Sequence, residues 1–184
     1  MLFKSTLALA LAAVAAATPT YVTKNGLKVR ADAKKCLCQS DVDALVEAYA
    51  GAINHWDPKY AASLSDVSFY DRSESINQIA NIPEGSTIFP AKGAFVGYQS
   101  TTPDNLETLE VDKVGPWNCD EITVIWSAKF TKIPNATPLL TRGIAVLGAT
   151  YEVDQWKIKS IDVEFSSLHY LKNIGGSYTL PTRP

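Results

Sequence analysis

The chain has 184 residues, 46% of them hydrophobic and 10% aromatic, and a formal net charge of −2. That stock of large apolar side chains is enough for one packed domain and argues against disorder. The mild acidity lacks the basic footprint that nucleic acid requires, which excludes that class of partner.

Met1-Leu2-Phe3-Lys4 sets a positive charge ahead of an unbroken apolar run from Leu7 to Ala17. The run closes on Ala15-Ala16-Ala17 before Thr18-Pro19. A charged start, a greasy middle and a small-residue exit are the pattern of a secretory signal peptide. The run is too short for a bilayer span, which takes about 20 apolar residues. Residues 1–17 are therefore expected to be a cleaved leader, and the remaining chain to be secreted without a membrane anchor. Residues 18–35 show no hydrophobic period and read as a leader or flexible arm. They end in Lys34-Lys35, either a site for a dibasic-cleaving protease or a solvated linker.

Cys36, Cys38 and Cys119 are an odd number of thiols for an oxidising compartment. A Cys-x-Cys pair in a chain with two histidines lacks the four spaced ligands of a zinc site, so no metal is expected. One long-range disulfide to Cys119 is the stronger reading. Asn135-Ala136-Thr137 is a glycosylation sequon, although the following Pro138 disfavours its use.

Ser40 is expected to cap the clearest helix, with Asp41 and Asp43 at the positive end of its dipole. Val42, Leu45, Val46, Tyr49, Ile53 and Trp56 recur at helical spacing and form one apolar stripe. Asp57-Pro58 ends that helix and starts a short second one over residues 58–64. Val67 to Tyr70 reads as a short strand. Ser73 to Asn81 reads as a third helix with Ile76 and Ile79 inward. Thr87-Ile88-Phe89 is extended, and Ala91 to Gln99 is a fourth helix weakened by two glycines.

From Leu106 the period changes to two. Leu109 and Val111 alternate with Glu110 and Asp112, and Ile122, Val124, Trp126, Ala128 and Phe130 share one face. Leu139 to Thr150 is a more uniformly apolar strand. Tyr151 to Phe165 is two strands or one bent strand. Its apolar parity switches near Lys159-Ser160, as a β-bulge would produce, and a bulge bends a sheet. Helices followed by long antiparallel strands give an α+β domain, and a strongly curved sheet wrapped by those helices encloses a conical cavity.

This order of elements, and several local sequences, resemble secreted fungal proteins of the nuclear-transport-factor-2-like (SnoaL-like) superfamily. The residues that carry the resemblance include Cys36-Leu37, Asp41-Val42, Trp117-Asn118-Cys119-Asp120, Ile125-Trp126 and Arg142-Gly143-Ile144-Ala145. Trp156-Lys157-Ile158, Val163-Glu164-Phe165-Ser166-Ser167 and Tyr170-Leu171-Lys172-Asn173 extend it. It covers roughly 36–176, leaving 177–184 as a tail. It implies a cone-shaped fold and a disulfide between Cys36 and Cys119, with Cys38 as an addition. It also implies a homodimer through the open sheet face. The superfamily includes ketosteroid isomerases, scytalone dehydratases, polyketide cyclases and proteins that only hold a ligand, and fold alone does not choose among them.

Asp71 follows the short strand and precedes the third helix, as the general base does in the isomerase pattern; the alternatives are a turn residue, a helix cap or a partner of Arg72. Tyr49 and Tyr70 are candidate hydrogen-bond donors to a developing enolate, or core residues with satisfied hydroxyls. His55 is a candidate catalytic group or a cation at a helix C-terminus, and His169 a candidate at the cavity mouth. Arg142 with Glu164 reads as a ligand contact or, preferentially, a structural ion pair. Trp126 and Trp156 are expected to wall the core, with Trp126 available to a flat ligand. No nucleophile elbow, phosphate loop, dinucleotide fingerprint or His-Glu-x-x-His motif occurs. The absence of these motifs leaves a cofactor-independent reaction or plain binding, and the resemblance implies an isomerase, cyclase or lyase acting on a hydrophobic polyketide- or terpenoid-like molecule. The alternative is an extracellular ligand-binding or effector protein that performs no chemistry.

Overall fold

The structure, a computed structural model, describes residues 21–24, 27–30, 35–54, 56–101 and 106–179. The expectations for the leader (1–17), for His55 and for the last residues of the tail lie outside these. The chain divides into two compact units, Met1–Lys35 and Cys36–Pro184. In the first, strands β1 (Tyr21–Lys24) and β2 (Leu27–Arg30) form an antiparallel hairpin within the segment read as an arm.

The second unit begins with α1 (Gln39–Asn54) and the one-turn α2 (Pro58–Ala61), started by Asp57, whose side chain accepts from Lys59 N. Strand β3 (Tyr70–Arg72), α3 (Glu74–Ala80), β4 (Thr87–Phe89) and α4 (Lys92–Thr101) follow. Then come the long strands β5 (Leu106–Trp117), β6 (Glu121–Phe130), β7 (Thr141–Glu152) and β8 (Gln155–Phe165), and the short α5 (Ser167–Asn173). One six-stranded sheet runs in the order β4-β3-β8-β7-β6-β5; the β3–β8 pairing is parallel and the others are antiparallel.

The apolar stripe of α1 packs on the sheet, with Val42, Leu45, Tyr49 and Ala52 buried among Val124, Leu147, Ile158 and Ile161. The cap of α1 is Cys38 rather than Ser40. Its carbonyl accepts from Val42 N at 3.0 Å, and Asp41 reaches back to Cys38 N at 2.9 Å. Strand β3 begins three residues later than Val67, because Ser65 closes a turn by accepting from the amides of Val67 and Ser68. Val67 is left 85% exposed. In α3 the buried residues are Ser75 and Asn77, and both isoleucines are half-buried. Glu164 on β8 causes this rotation: it accepts from the amides of Glu74 and Ser75 and from the Ser75 hydroxyl, drawing the helix's polar side to the sheet.

The sheet bends where its pairing slips. Gly148 faces Ser160 and Ala149 faces Ile158, which leaves Lys159 as an extra residue in β8. Strand β5 carries three such irregularities and continues through Pro116, which the sheet edge tolerates because no neighbour needs its missing N–H. Tyr151 and Glu152 complete β7, so the Tyr151–Phe165 stretch is the end of one strand, a turn and a bent second strand. That turn, Val153-Asp154, has φ of 47° and 61°. Both values suit a two-residue hairpin of the primed type, though a β-branched residue there is strained.

Cys36 is disulfide-bonded to Cys119, 83 residues away, and Leu37 N donates to Cys119 O at 3.1 Å. This ties the start of α1 to the β5–β6 turn. Closing a loop of that length removes about 4.5 kcal/mol of chain entropy from the unfolded state. The double variant Cys36→Ala/Cys119→Ala is expected to lose about 3–5 kcal/mol of unfolding free energy in urea. A loss below about 1 kcal/mol would mean that the loop is already restrained without the bond.

Candidate functional site

The bent sheet and the helices enclose a cavity of about 200 Å³. Sheet residues Leu109, Trp126, Ala128, Phe130, Ile161, Val163 and Phe165 form one wall. Tyr49, Ile53 and Asn54 of α1, with Trp56 beyond it, form the opposite one. Asp71, Ile76, Phe89, Phe95, Tyr98 and Gln99 close a side, and Lys132 and Tyr170 complete the rim. Trp126 can lie flat along the wall because its register partner on β7 is Gly143, where a Cβ would collide with the indole ring.

Asp71 reaches this cavity by the alternation of a strand. It is the middle residue of β3, paired with Ile161 on one side and Phe89 on the other, so its side chain points inward while Tyr70 and Arg72 point outward. Asp71 is 5% exposed, and its Oδ1 is buried with no hydrogen-bond partner among the described residues. Burial pushes its pKa from 3.8 to about 7, and the negative charge of Asp162 on β8 adds to the rise. The alternatives to this placement are accounted for elsewhere. Ser73 caps α3 by accepting from Ile76 N, and Arg72 bonds Asp162 at 2.9 Å.

Tyr49 is fully enclosed, and its hydroxyl pKa is raised well above 10, first by burial and then by the neighbouring Asp71. The Trp126 indole N–H offsets part of that rise, yet Nε1 makes no hydrogen bond of normal geometry. The deep end of the cavity thus holds a carboxyl group, a hydroxyl and an indole N–H, and among the described residues Asp71 Oδ1 and Trp126 Nε1 have no hydrogen-bond partner.

Four expected site residues stand elsewhere. Tyr70 lies on the outer side of β3, its hydroxyl accepting from Arg72 Nη2 and its ring under the guanidinium at 4.7 Å. Glu164 spends both carboxylate oxygens on the N-terminus of α3. Arg142 is exposed on the outer face of the sheet and forms no ion pair with Glu164 among the described residues. His169 is exposed on α5, with Nδ1 2.8 Å from Leu140 O, and does not line the cavity. Trp156 packs on Tyr151 away from the site. Asn135 sits in the exposed β6–β7 loop with φ of 61°, and Cys38 is exposed with its Sγ donating to Asp41. No group of three or more metal-ligating side chains occurs among the described residues.

Lys132, Tyr98, Gln99 and Tyr170 were not expected at the site. For Lys132 the signal was present: it continues the inward parity of Trp126, Ala128 and Phe130 past the end of β6. Tyr170 stacks with Phe130 and Phe165 at 4.9 and 5.1 Å from a helix too short to show a period.

The site is thus an acidic group at the floor of an apolar cavity in a curved α+β domain. The NTF2-like domain model matches residues 35–177, and the chain belongs to that family. Among solved structures it is similar to a ketosteroid isomerase-like fold protein from Catenulispora acidiphila, crystallised with trimethylamine. The identity is 17% over 73% of this chain and 96% of that one, with a TM-score of 0.54. An NTF2-like protein of unknown function from Burkholderia pseudomallei is 11% identical over 76% of this chain and 100% of its own, with a TM-score of 0.56. Both likenesses concern the fold. No curated protein matches the sequence.

Because the Asp71 pKa is raised, the native state keeps a proton between pH 3.8 and about 7 that the unfolded chain has released. Stability therefore falls as pH rises through that window. Asp71→Asn removes the effect, so urea unfolding should find the variant more stable than the parent at pH 8, by up to about 4 kcal/mol. The gap should shrink toward zero below pH 4. A variant with no such pH-dependent gain would show that Asp71 meets water.

Proposed function

We propose that the protein is a secreted pocket enzyme that moves a proton on a hydrophobic carbonyl compound without a cofactor, as an isomerase, cyclase or dehydratase of secondary metabolism does. The observation that carries this reading is Asp71: a buried carboxyl group whose Oδ1 has no hydrogen-bond partner among the described residues, its pKa raised to about 7, at the floor of an apolar cavity. As the carboxylate it takes a C–H proton from the carbon beside the carbonyl. The electron pair passes to the carbonyl oxygen, and Tyr49, whose raised pKa keeps it protonated, donates a hydrogen bond to that oxygen. In a substrate with a carbon–carbon double bond conjugated to the enolate, Asp71 then returns the proton at the far carbon, the oxygen's electron pair re-forms the carbonyl, and Asp71 is again a carboxylate. The aromatic walls hold the ring and exclude water.

The cavity volume limits the substrate. A void of about 150 Å³ takes benzene, whereas drug-sized sites run to about 300–1,000 Å³. About 200 Å³ suits a monocyclic or small bicyclic body. In this reading residues 1–17 are the signal peptide, 18–35 an arm, 36–176 the pocket domain and 177–184 a tail. The disulfide between Cys36 and Cys119 fits an oxidising compartment.

A second reading, a binder without chemistry, is supported by the outward turn of Tyr70, which takes one of the two expected hydroxyl donors away from Asp71. Aromatic rings beside a carboxylate also suit a small ammonium ion, and the Catenulispora acidiphila protein was crystallised with trimethylamine.

The bicyclic ketone 2-tetralone separates the two. Under the enzyme reading, NMR in deuterated buffer shows protein-accelerated exchange of its α-protons. The rate rises with pH to a plateau above about 7, because the carboxylate is the active form. Asp71→Asn loses about 100-fold or more, and Tyr49→Phe loses on the order of 100-fold. Binding of 2-tetralone with no exchange supports the binder, and exchange that survives Asp71→Asn removes Asp71 from the role of base.

A further inference from the structure

The cavity has a direction. Asp71, Tyr49 and Trp126 at one end are buried, whereas Lys132 and Tyr98 are exposed and Asn54, Gln99 and Tyr170 are half-buried. Among the described residues two of its lining side chains are charged, and they stand at opposite ends of this exposure gradient: the acid inside and the ammonium at the mouth.

Lys132 is held in place rather than left on a free loop. Its backbone N–H donates to Asn173 O at 2.8 Å, and the Thr131 hydroxyl donates to the same oxygen at 3.1 Å. Asn173 is itself buried, and its amide bonds both backbone groups of Leu139 at 2.8 Å. Among the described residues no carboxylate pairs with the Lys132 ammonium. Its neighbours at the mouth are amides and phenols. The Tyr170 hydroxyl keeps its proton, because burial and the adjacent Tyr98 push its pKa up. Among the described residues the mouth therefore offers hydrogen-bond donors and one cation, and no acid.

We propose that the ligand of this pocket is an anionic molecule, a ring system bearing a carboxylate, whose apolar body lies inside while the carboxylate remains at the mouth against Lys132. This rests on the pocket reading above and not on the proton transfer. The ionised Asp71 enforces the polarity, since a second carboxylate beside it is repelled in a low-dielectric site.

The pair 2-naphthoate and 2-naphthamide tests it, having the same body and differing in charge. Each is titrated into the full chain at pH 8 and low salt, with tryptophan fluorescence as the readout. 2-Naphthoate is expected to bind about five- to tenfold more tightly. Lys132→Gln should abolish that preference without changing 2-naphthamide affinity, and Lys132→Arg should retain it. Equal affinities, a preference that survives Lys132→Gln, an equal weakening of both probes by that variant, or no binding of either would each overturn the proposal. If the preference holds while 2-tetralone exchange ignores Asp71→Asn, the anionic ligand stands and the base assignment falls.

Discussion

The hollow depends on the bending of the sheet. With Lys159 extra in β8 and three irregularities in β5, the four long strands curl around α1 instead of lying flat beneath it. The first half of α1 packs tightly through Val42, Leu45 and Val46, near the disulfide. The second half meets a sheet that has curved away, and Ile53 and Asn54 face open space. A flat sheet would bring Phe130, Val163 and Phe165 onto the helix and fill the volume with side chains, since interiors pack to near-crystalline density. Closed end and open end are thus two consequences of one curvature.

That curvature makes the placement of Asp71 costly, and the cost defines its chemistry. A carboxyl group withdrawn from water favours its neutral form. No described cation comes to its aid, because Arg72 is turned outward onto Asp162. Tyr49 shares the same dry surroundings, and the charge of Asp71 adds to the burial that holds its hydroxyl protonated. A core optimised for strength would not bury such a group, and its burial here supports the proposed role of Asp71.

Much of this was legible in the residues. The helical stripe of α1, the strict alternation of β6 and the parity switch in β8 are local patterns that burial imposes directly, and the elements stand where those patterns put them. The misplaced residues depend on non-local or single-residue detail. A serine turn at Ser65 delays β3, and because side chains alternate, the delay decides which of Tyr70, Asp71 and Arg72 faces inward. Glu164 was visible as an acid on a strand, but its partner is a helix 90 residues earlier in the chain. Helix α5 is too short to carry a period, and its main anchor is the buried Asn173, whose bonds run to the β6–β7 loop.

The brevity of β3 has an evolutionary side. Three consecutive residues there are an aromatic hydroxyl, an acid and a guanidinium, and the pleat admits the middle one. Loss or gain of one residue in the exposed stretch between Ser65 and Phe69 would slide the next letter into place and replace an acid with a phenol or a cation. A small deletion or insertion in that surface loop would thus exchange the group that faces the cavity, at the cost of displacing Phe69, whose ring is buried against Phe95.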